Sequence, residues 1–327
     1  MKMHNFSEFI TLLSTVESVL VSGHINPDGD CTGTALACKQ LFESIGKDVT
    51  VYSRDDYPYN FDFIAGYNSV VHALPERDAD LYIVVDAGAP QRVGDELFEK
   101  LQKTDSPVVL FDHHEVNDQT KAFPYALTYV DSNAPATSVL IFRLAQQMKA
   151  DISVDFAVAI YAALLSDTGG FRYGKTTAES FRIAAELVEA GVSPWDVSSA
   201  MHNRIPLNAK KCAAEILTTL QMRADDKVGI IEITLEQLER YNITPDLIDG
   251  IVNEVRSING VELAARFREE EKGLYKVSLR SIGSIDANAI ATRFGGGGHR
   301  NAAGFTFQGS YNEGVTLIEE IFREQNR

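Results

Sequence analysis

Short apolar runs alternate with amphipathic stretches over the first two-thirds of the chain. Residues 18–23, 48–53, 81–86 and 107–112 are rich in Val, Ile and Leu and end near Gly, Asp or His, which predicts buried strands. Between the first two, Ala35, Leu36, Leu41, Phe42 and Ile45 recur at helical spacing, with Asp30 as the expected cap and Gly46 as the stop. This βαβ-like order predicts an α/β fold: a doubly wound, mainly parallel sheet with flanking helices. Ligands of such sheets bind beyond the carboxyl ends of the strands.

Helical patterns dominate residues 136–191, including 154–166 and 178–190, until Gly191-Val-Ser-Pro194 breaks the chain. A polar helical stretch at 206–222 reads as a connector. After it come strand patterns at 228–234, 261–269 and 274–281, a helix at 286–294, a glycine run, a strand near 303–308 and a closing helix. The expected organisation is a domain at 1–190, a helical linker at 191–225 and a smaller α/β domain at 226–327. A chain of 327 residues has enough length for two cores, and no fixed-period repeat or low-complexity tract intervenes.

Composition narrows the partners. The chain is 45% hydrophobic and 23% charged, as ordinary globular proteins are. Thirty Lys and Arg against 46 Asp and Glu leave a net charge of −16, which disfavours long duplex nucleic acid and anionic membranes. Cys31, Cys38 and Cys212 form no C-x-x-C pair and are expected as reduced thiols in a cytoplasmic protein. The apolar run at 9–13 is too interrupted for a secretion signal, and no stretch approaches the roughly 18 apolar residues of a membrane span.

Polar groups concentrate where the apolar runs end. The first leads into His24-Ile-Asn-Pro-Asp28-Gly-Asp30, the third into Asp86-Ala-Gly88, the fourth into Asp112-His113-His114, and the helical run into Asp167-Thr-Gly-Gly170. Alone, each aspartate reads as a turn residue or helix cap. Four such ends in one α/β domain are more than independent capping explains, because carboxylates gathered there repel one another unless a cation neutralises them. Imidazole and carboxylate without thiolate suit Mn²⁺, Mg²⁺, Co²⁺ or Zn²⁺. His24, Asp28, Asp30, Asp86, His113 and Asp167 outnumber the ligands of one ion. Two ions sharing a carboxylate are therefore expected, an arrangement that catalyses in-line attack on phosphorus.

The second constellation is Gly295-Gly-Gly-Gly-His299-Arg300-Asn301-Ala-Ala-Gly304. It has neither the ending of a P-loop nor the spacing of a dinucleotide fingerprint. The bland alternative is a flexible turn between helix and strand. As a site, its glycines, Gly297 and Gly298 among them, let backbone N–H groups approach an anion, and His299 and Arg300 add charged donors. Residues 261–305 hold seven Lys and Arg against five Asp and Glu, a local +2 that favours the anion-holding alternative.

In order and spacing, His24-x-x-x-Asp28-x-Asp30, Val-Asp86, Asp112-His113-His114 and Ser-Asp167 resemble the four motifs of the DHH phosphoesterase family. Residues 295–304 resemble the glycine-histidine motif of that family's associated C-terminal domain. Within the family, the two-domain organisation is most similar to bacterial oligoribonucleases that degrade very short RNA and remove the 3′-phosphate of 3′-phosphoadenosine 5′-phosphate. The resemblance implies a manganese-dependent phosphodiesterase and phosphatase with two Mn²⁺ per chain, Mg²⁺ or Co²⁺ substituting. It implies that His24, Asp28 and Asp86 hold one ion and that Asp30, Asp86, His113 and Asp167 hold the other, with Asp86 bridging. His114 would face the scissile phosphate or leaving oxygen, and Asp112 would orient a neighbouring histidine. Arg280, His299, Arg300 and Asn301 would grip the nucleotide. Arg266 is a weaker candidate, since an alternating strand arginine is often only solvated. The resemblance further implies a cytoplasmic homodimer acting on short single-stranded RNA and phosphorylated nucleotides in an interdomain cleft.

The same metal ligands would serve a linear or cyclic dinucleotide phosphodiesterase, so only the substrate grip separates that alternative. The acidic surface disfavours a long-strand 5′ exonuclease, and the lack of an Arg-Lys-Lys cluster disfavours a manganese pyrophosphatase. Intact ligand motifs argue against a non-catalytic nucleotide-binding module.

Overall fold

The computed structural model describes residues 5–325; the chain divides between Arg204 and Ile205 into two compact units, Met1–Arg204 and Ile205–Arg327 by their bounds in the sequence. The first contains α1 (Ser7–Ser14), β1 (Ser18–Ser22), α2 (Gly29–Glu43), β2 (Asp48–Tyr52), β3 (Leu81–Val85), α3 (Asp95–Lys103), β4 (Val108–Asp112), α4 (Asp118–Ala122) and β5 (Leu127–Val130), then the helices α5 (Ser138–Met148), α6 (Val154–Asp167), α7 (Ala178–Glu189) and α8 (Pro194–His202). Its five strands are all parallel, in the order β2-β1-β3-β4-β5. β3 and β4 are buried at every position, which is why they read as unbroken apolar runs: helices on both faces leave no solvent side. The direction of sheet growth reverses between β1 and β3, so a crevice opens at their carboxyl ends. β1 leads there into His24, and β3 into Asp86.

Two departures from the sequence pattern matter for the site. Asp28, not Asp30, caps α2: its Oδ1 accepts the Asp30 and Cys31 amides at 3.0 Å each. Both aspartates are competent caps, and the extended backbone at Asp28 decides between them. Asp30 thereby becomes a helical residue with 0% exposure. Helices α2 and α6 also cross very closely. A Cβ at Gly33 would lie 2.6 Å from the Ala159 carbonyl oxygen and 2.8 Å from the Ala163 Cβ, so only glycine fits the crossing.

The second unit contains α9 (Leu207–Thr218), β6 (Gln221–Arg223), β7 (Val228–Ile233), α10 (Leu235–Tyr241), α11 (Ile251–Arg256), β8 (Leu263–Glu271), β9 (Leu274–Ser281), α12 (Ala287–Thr292), β10 (Gly297–His299), β11 (Ala302–Gln308) and α13 (Tyr311–Gln325). Its six strands run in the order β10-β11-β9-β8-β7-β6, with only β7 and β8 parallel. The glycine run is thus partly strand rather than a plain turn. The unit boundary falls inside the stretch expected as a linker, and its two helices belong to one unit each. α8 places Val197 and Met201 in the first core, and the Asn60 amide donates to the Met201 carbonyl. α9 places Ala209, Cys212 and Ile216 in the second. All three cysteines are buried and unbridged. Among the described residues no helix is long and apolar enough to cross a membrane.

Candidate metal centre

The first unit brings the separated strand and helix ends together. His24, Asp28 and Asp86 offer ligand atoms all within 4.8 Å of one another, and so do Asp30, His113 and Asp167. Asp86 lies between the two groups. Its Oδ2 is 3.8 Å from His24 Nε2, and its Oδ1 is 3.5 Å from both His113 Nε2 and His114 Nδ1. His113 Nε2 is 3.2 Å from Asp167 Oδ2 and 3.9 Å from Asp30 Oδ2, and His24 Nε2 is 3.7 Å from Asp28 Oδ1. Asp30, Asp86, His113 and His24 are buried; the Asp28 side chain, at 57% exposure, forms the solvent side.

Backbone contacts fix which imidazole nitrogen carries the proton. His24 Nδ1 is 2.9 Å from the Ile25 carbonyl, and His113 Nδ1 is 3.2 Å from the Ala134 carbonyl. A carbonyl only accepts, so each Nδ1 donates and each Nε2 is the nitrogen turned toward the carboxylates. Outer hydrogen bonds orient metal-binding histidines in this way. His114 is held differently, with its Nδ1 and its amide 2.7 and 2.9 Å from Asp112 Oδ1. The Gly88 amide, 2.5 Å away, donates to Asp112 Oδ2.

The cluster is electrostatically unbalanced on its own. Burial, followed by the charge of Asp28, pushes the Asp30 carboxyl up to about 6. Burial and the charges of Asp30, Asp28, Asp112 and Asp167 hold Asp86 well above the usual carboxylate range, and burial with Asp30 and Asp28 does the same to Asp167. Burial pushes His113 down to about 4, which leaves it neutral at pH 7. Asp112 differs: against the effect of burial, the bonds and charge of His114 and the Gly88 amide hold it at about 2. Among the described residues, none of Asp28, Asp30, Asp86 and Asp167 is ion-paired with Lys or Arg. Three carboxylates raised by burial and by neighbouring charge, with Asp28 held low beside His24, and imidazoles presenting Nε2 make a donor set that fits divalent cations.

The C-terminal candidates lie in the second unit. His299, Ala302 and Arg280 are successive cross-strand partners on β10, β11 and β9, so their side chains leave one face of the sheet with a small residue between them. At Gly298, a Cβ would lie 2.4 Å from the Ala302 carbonyl oxygen, and the backbone is left-handed at φ 146°, so glycine is required. Gly297 pairs with Gly304. Arg300 and Asn301 are exposed at the hairpin turn, while their carbonyls accept the Ala287 and Ser281 amides. Arg266, the weaker candidate for the grip, is not the solvated strand arginine that was its alternative. It is 2% exposed; Nη1 donates to the Asp249 carboxylate at 2.5 Å and Nη2 to the Ser278 hydroxyl at 2.8 Å. Its guanidinium is committed to the fold.

Sequence reasoning missed Thr34, Thr137 and Ser138, which donate to Asp30 and Asp86. For Thr137 and Ser138 a cap-like Ala-Thr-Ser before a helix was the only signal, and it says nothing about a partner 51 to 108 positions away; Thr34 lies one helical turn after Asp30, a spacing that becomes telling only once Asp30 is known to be helical.

A switch-point crevice lined by two carboxylate–imidazole triads defines an α/β protein with acidic and histidine groups that could hold metal, joined to a second unit with its own mixed sheet. More particularly, the chain belongs to the DHH family: the model of the DHH family N-terminal domain matches residues 18–164, and that of the DHHA1 domain matches residues 226–324. It is similar to the bifunctional oligoribonuclease and PAP phosphatase NrnA of Thermus thermophilus, 28% identical over 96% of this chain and 92% of that one. It is also similar to the NrnA of Bacillus subtilis, 24% identical over 96% and 97%. Among solved structures, an exopolyphosphatase-related protein from Bacteroides fragilis superposes with a TM-score of 0.89 at 26% identity, covering 98% of this chain and 95% of the other.

Proposed function

We propose that this chain is a manganese-dependent phosphoesterase that hydrolyses short oligoribonucleotides and the 3′-phosphate of 3′-phosphoadenosine 5′-phosphate. The observation that carries the chemistry is Asp86, whose two carboxylate oxygens face two different donor sets. The names of the relatives support the substrates. His24, Asp28 and Asp86 would hold one Mn²⁺, and Asp30, Asp86, His113 and Asp167 the other, with Mg²⁺ or Co²⁺ as substitutes. When bound, such a pair of ions polarises a phosphoryl oxygen and supplies a nucleophilic hydroxide at neutral pH.

The chain's own residues do the rest. Asp112 stays ionised and accepts from His114 Nδ1, so His114 Nε2 is the nitrogen that handles a proton at the departing 3′-oxygen. Arg280, His299, Arg300, Asn301 and the amides around Gly297 and Gly298 would hold the nucleotide. Charge supports that division of labour. Residues 1–204 carry 15 Lys and Arg against 28 Asp and Glu, a net −13, whereas residues 205–327 carry 15 against 18, a net −3. Arg266, engaged with Asp249, is left out of the grip. A cytoplasmic homodimer is part of the same proposal.

The test is hydrolysis of a 5′-labelled dinucleotide and of the bisphosphorylated nucleoside by Mn²⁺-loaded wild type and by Asp86→Asn. Loss of about 10³-fold or more in kcat is expected, since both donor sets lose the shared carboxylate. Equal turnover by the two proteins would remove the catalytic assignment.

A further inference from the structure

Thr137 is the N-cap of α5, and a threonine there ordinarily bonds its hydroxyl to the amides of its own helix. It makes no such bond. The hydroxyl donates instead to Asp86 Oδ1 at 2.8 Å. The two amides that open the helix go to Asp30, 107 and 108 positions away: the Thr137 N–H donates to Oδ2 at 2.5 Å, and the Ser138 N–H to Oδ1 at 3.2 Å. The Thr34 hydroxyl adds a third bond, to Oδ1 at 2.9 Å. Thr34, Thr137, Ser138 and Asp30 all have 0% exposure, so no water replaces these donors in a displaced geometry.

The pattern of donors decides which oxygens remain for a cation. Each carboxylate oxygen accepts about two bonds. Asp30 Oδ1 already has two, from Thr34 and Ser138, whereas Oδ2, the atom nearer His113, has one. Asp86 Oδ1 has one, from Thr137, and faces His113 and His114. A single residue thus turns one oxygen of each buried carboxylate toward the same histidine.

We propose that Thr137 is the positioning residue of the metal centre, holding the shared carboxylate through its side chain and the Asp30 carboxylate through its backbone so that the two donor sets stay in register. This rests on the two-cation assignment proposed above. Thr137→Val keeps the shape and the backbone amide and removes one donor; Thr137→Ser keeps the donor and removes a methyl. Thr137→Ala repeats the comparison with serine if valine prevents folding, as far-UV circular dichroism would show.

The measurements are calorimetric titration with MnCl2 and the low-temperature electron paramagnetic resonance spectrum, which reports spin coupling between neighbouring Mn²⁺ ions. Wild type should take up two coupled ions. The donor-less variant should bind the second about 10- to 100-fold more weakly and lose coupled signal at matched Mn²⁺, while Thr137→Ser stays within about threefold of wild type. A donor-less variant equal to wild type, or a serine variant equally impaired, would overturn the role of Thr137 and leave the metal centre standing. Wild type that takes up fewer than two ions would overturn the two-cation assignment itself, and this proposal with it.

Discussion

Asp86 occupies a left-handed backbone position, φ 55°, at the end of a fully buried strand. Aspartate and asparagine tolerate that conformation better than other non-glycine residues do, so Asp86→Asn isolates the charge. In the metal-free chain this carboxylate is buried among like charges, which makes it a stability cost that a bound cation would offset. Asp86→Asn should therefore stabilise the metal-free protein by about 1–2 kcal/mol in urea denaturation. Mn²⁺ should raise the melting temperature of wild type, and the substitution should abolish that rise. A metal-free variant less stable than wild type would mean that the cluster is not electrostatically frustrated. The residue types of the site were legible because carboxylates and histidines at strand ends carry a chemical signature. Thr137 carries none. Arg266 was placed correctly on a strand, but what covers that strand face is the segment bearing Asp249, a contact between distant residues that alternation does not encode.

Element positions were legible in proportion to burial. β3 and β4, covered on both faces, stand out as apolar runs, whereas β5 is four residues at a sheet edge with one buried position and offers no periodicity to read. The close crossing of α2 and α6 was equally hidden, since a helical glycine ordinarily signals only weak propensity. That crossing sets the site: Asp30 lies in the first turn of α2, and Asp167 is the last residue of α6. Gly33→Ala would gain about 1 kcal/mol of helix propensity. It should nevertheless destabilise by about 1–3 kcal/mol through overpacking, because the added Cβ meets a backbone carbonyl that cannot turn away. Moving the helices apart should weaken Mn²⁺ binding as well. Chemical denaturation and a metal titration check both parts, and a stabilised variant with unchanged affinity would show that the crossing yields freely.

At the scale of the whole molecule, the two-core organisation followed from chain length and the break near residue 191, but not the sharing of the connector helices, which depends on which core each apolar face meets. The organisation has a thermodynamic consequence. All six proposed cation ligands lie in Met1–Arg204, while the buried Arg266 and its Asp249 partner lie in Ile205–Arg327. Scanning calorimetry should therefore separate the units by their linkages, with Mn²⁺ raising the transition of the first alone. Asp249→Asn should destabilise only the second, by about 1 kcal/mol at pH 7, because it weakens the acceptor of a buried guanidinium while the 60% exposure of the Asp249 side chain lets solvent screen the pair. The pH dependence has a definite sign. Although burial pushes the Asp249 carboxyl up, the Arg266 guanidinium, with Arg268 and Lys276, holds it below its ordinary value. A depressed carboxylate stabilises the fold above the pKa it has in the unfolded chain, and that contribution is lost as pH falls through the lower folded value. The gap between wild type and Asp249→Asn should thus be full at neutral pH and shrink below about pH 4. A gap that widens on acidification, or a Mn²⁺ effect on both transitions, would contradict the assignment of ion pair and metal centre to separate cores.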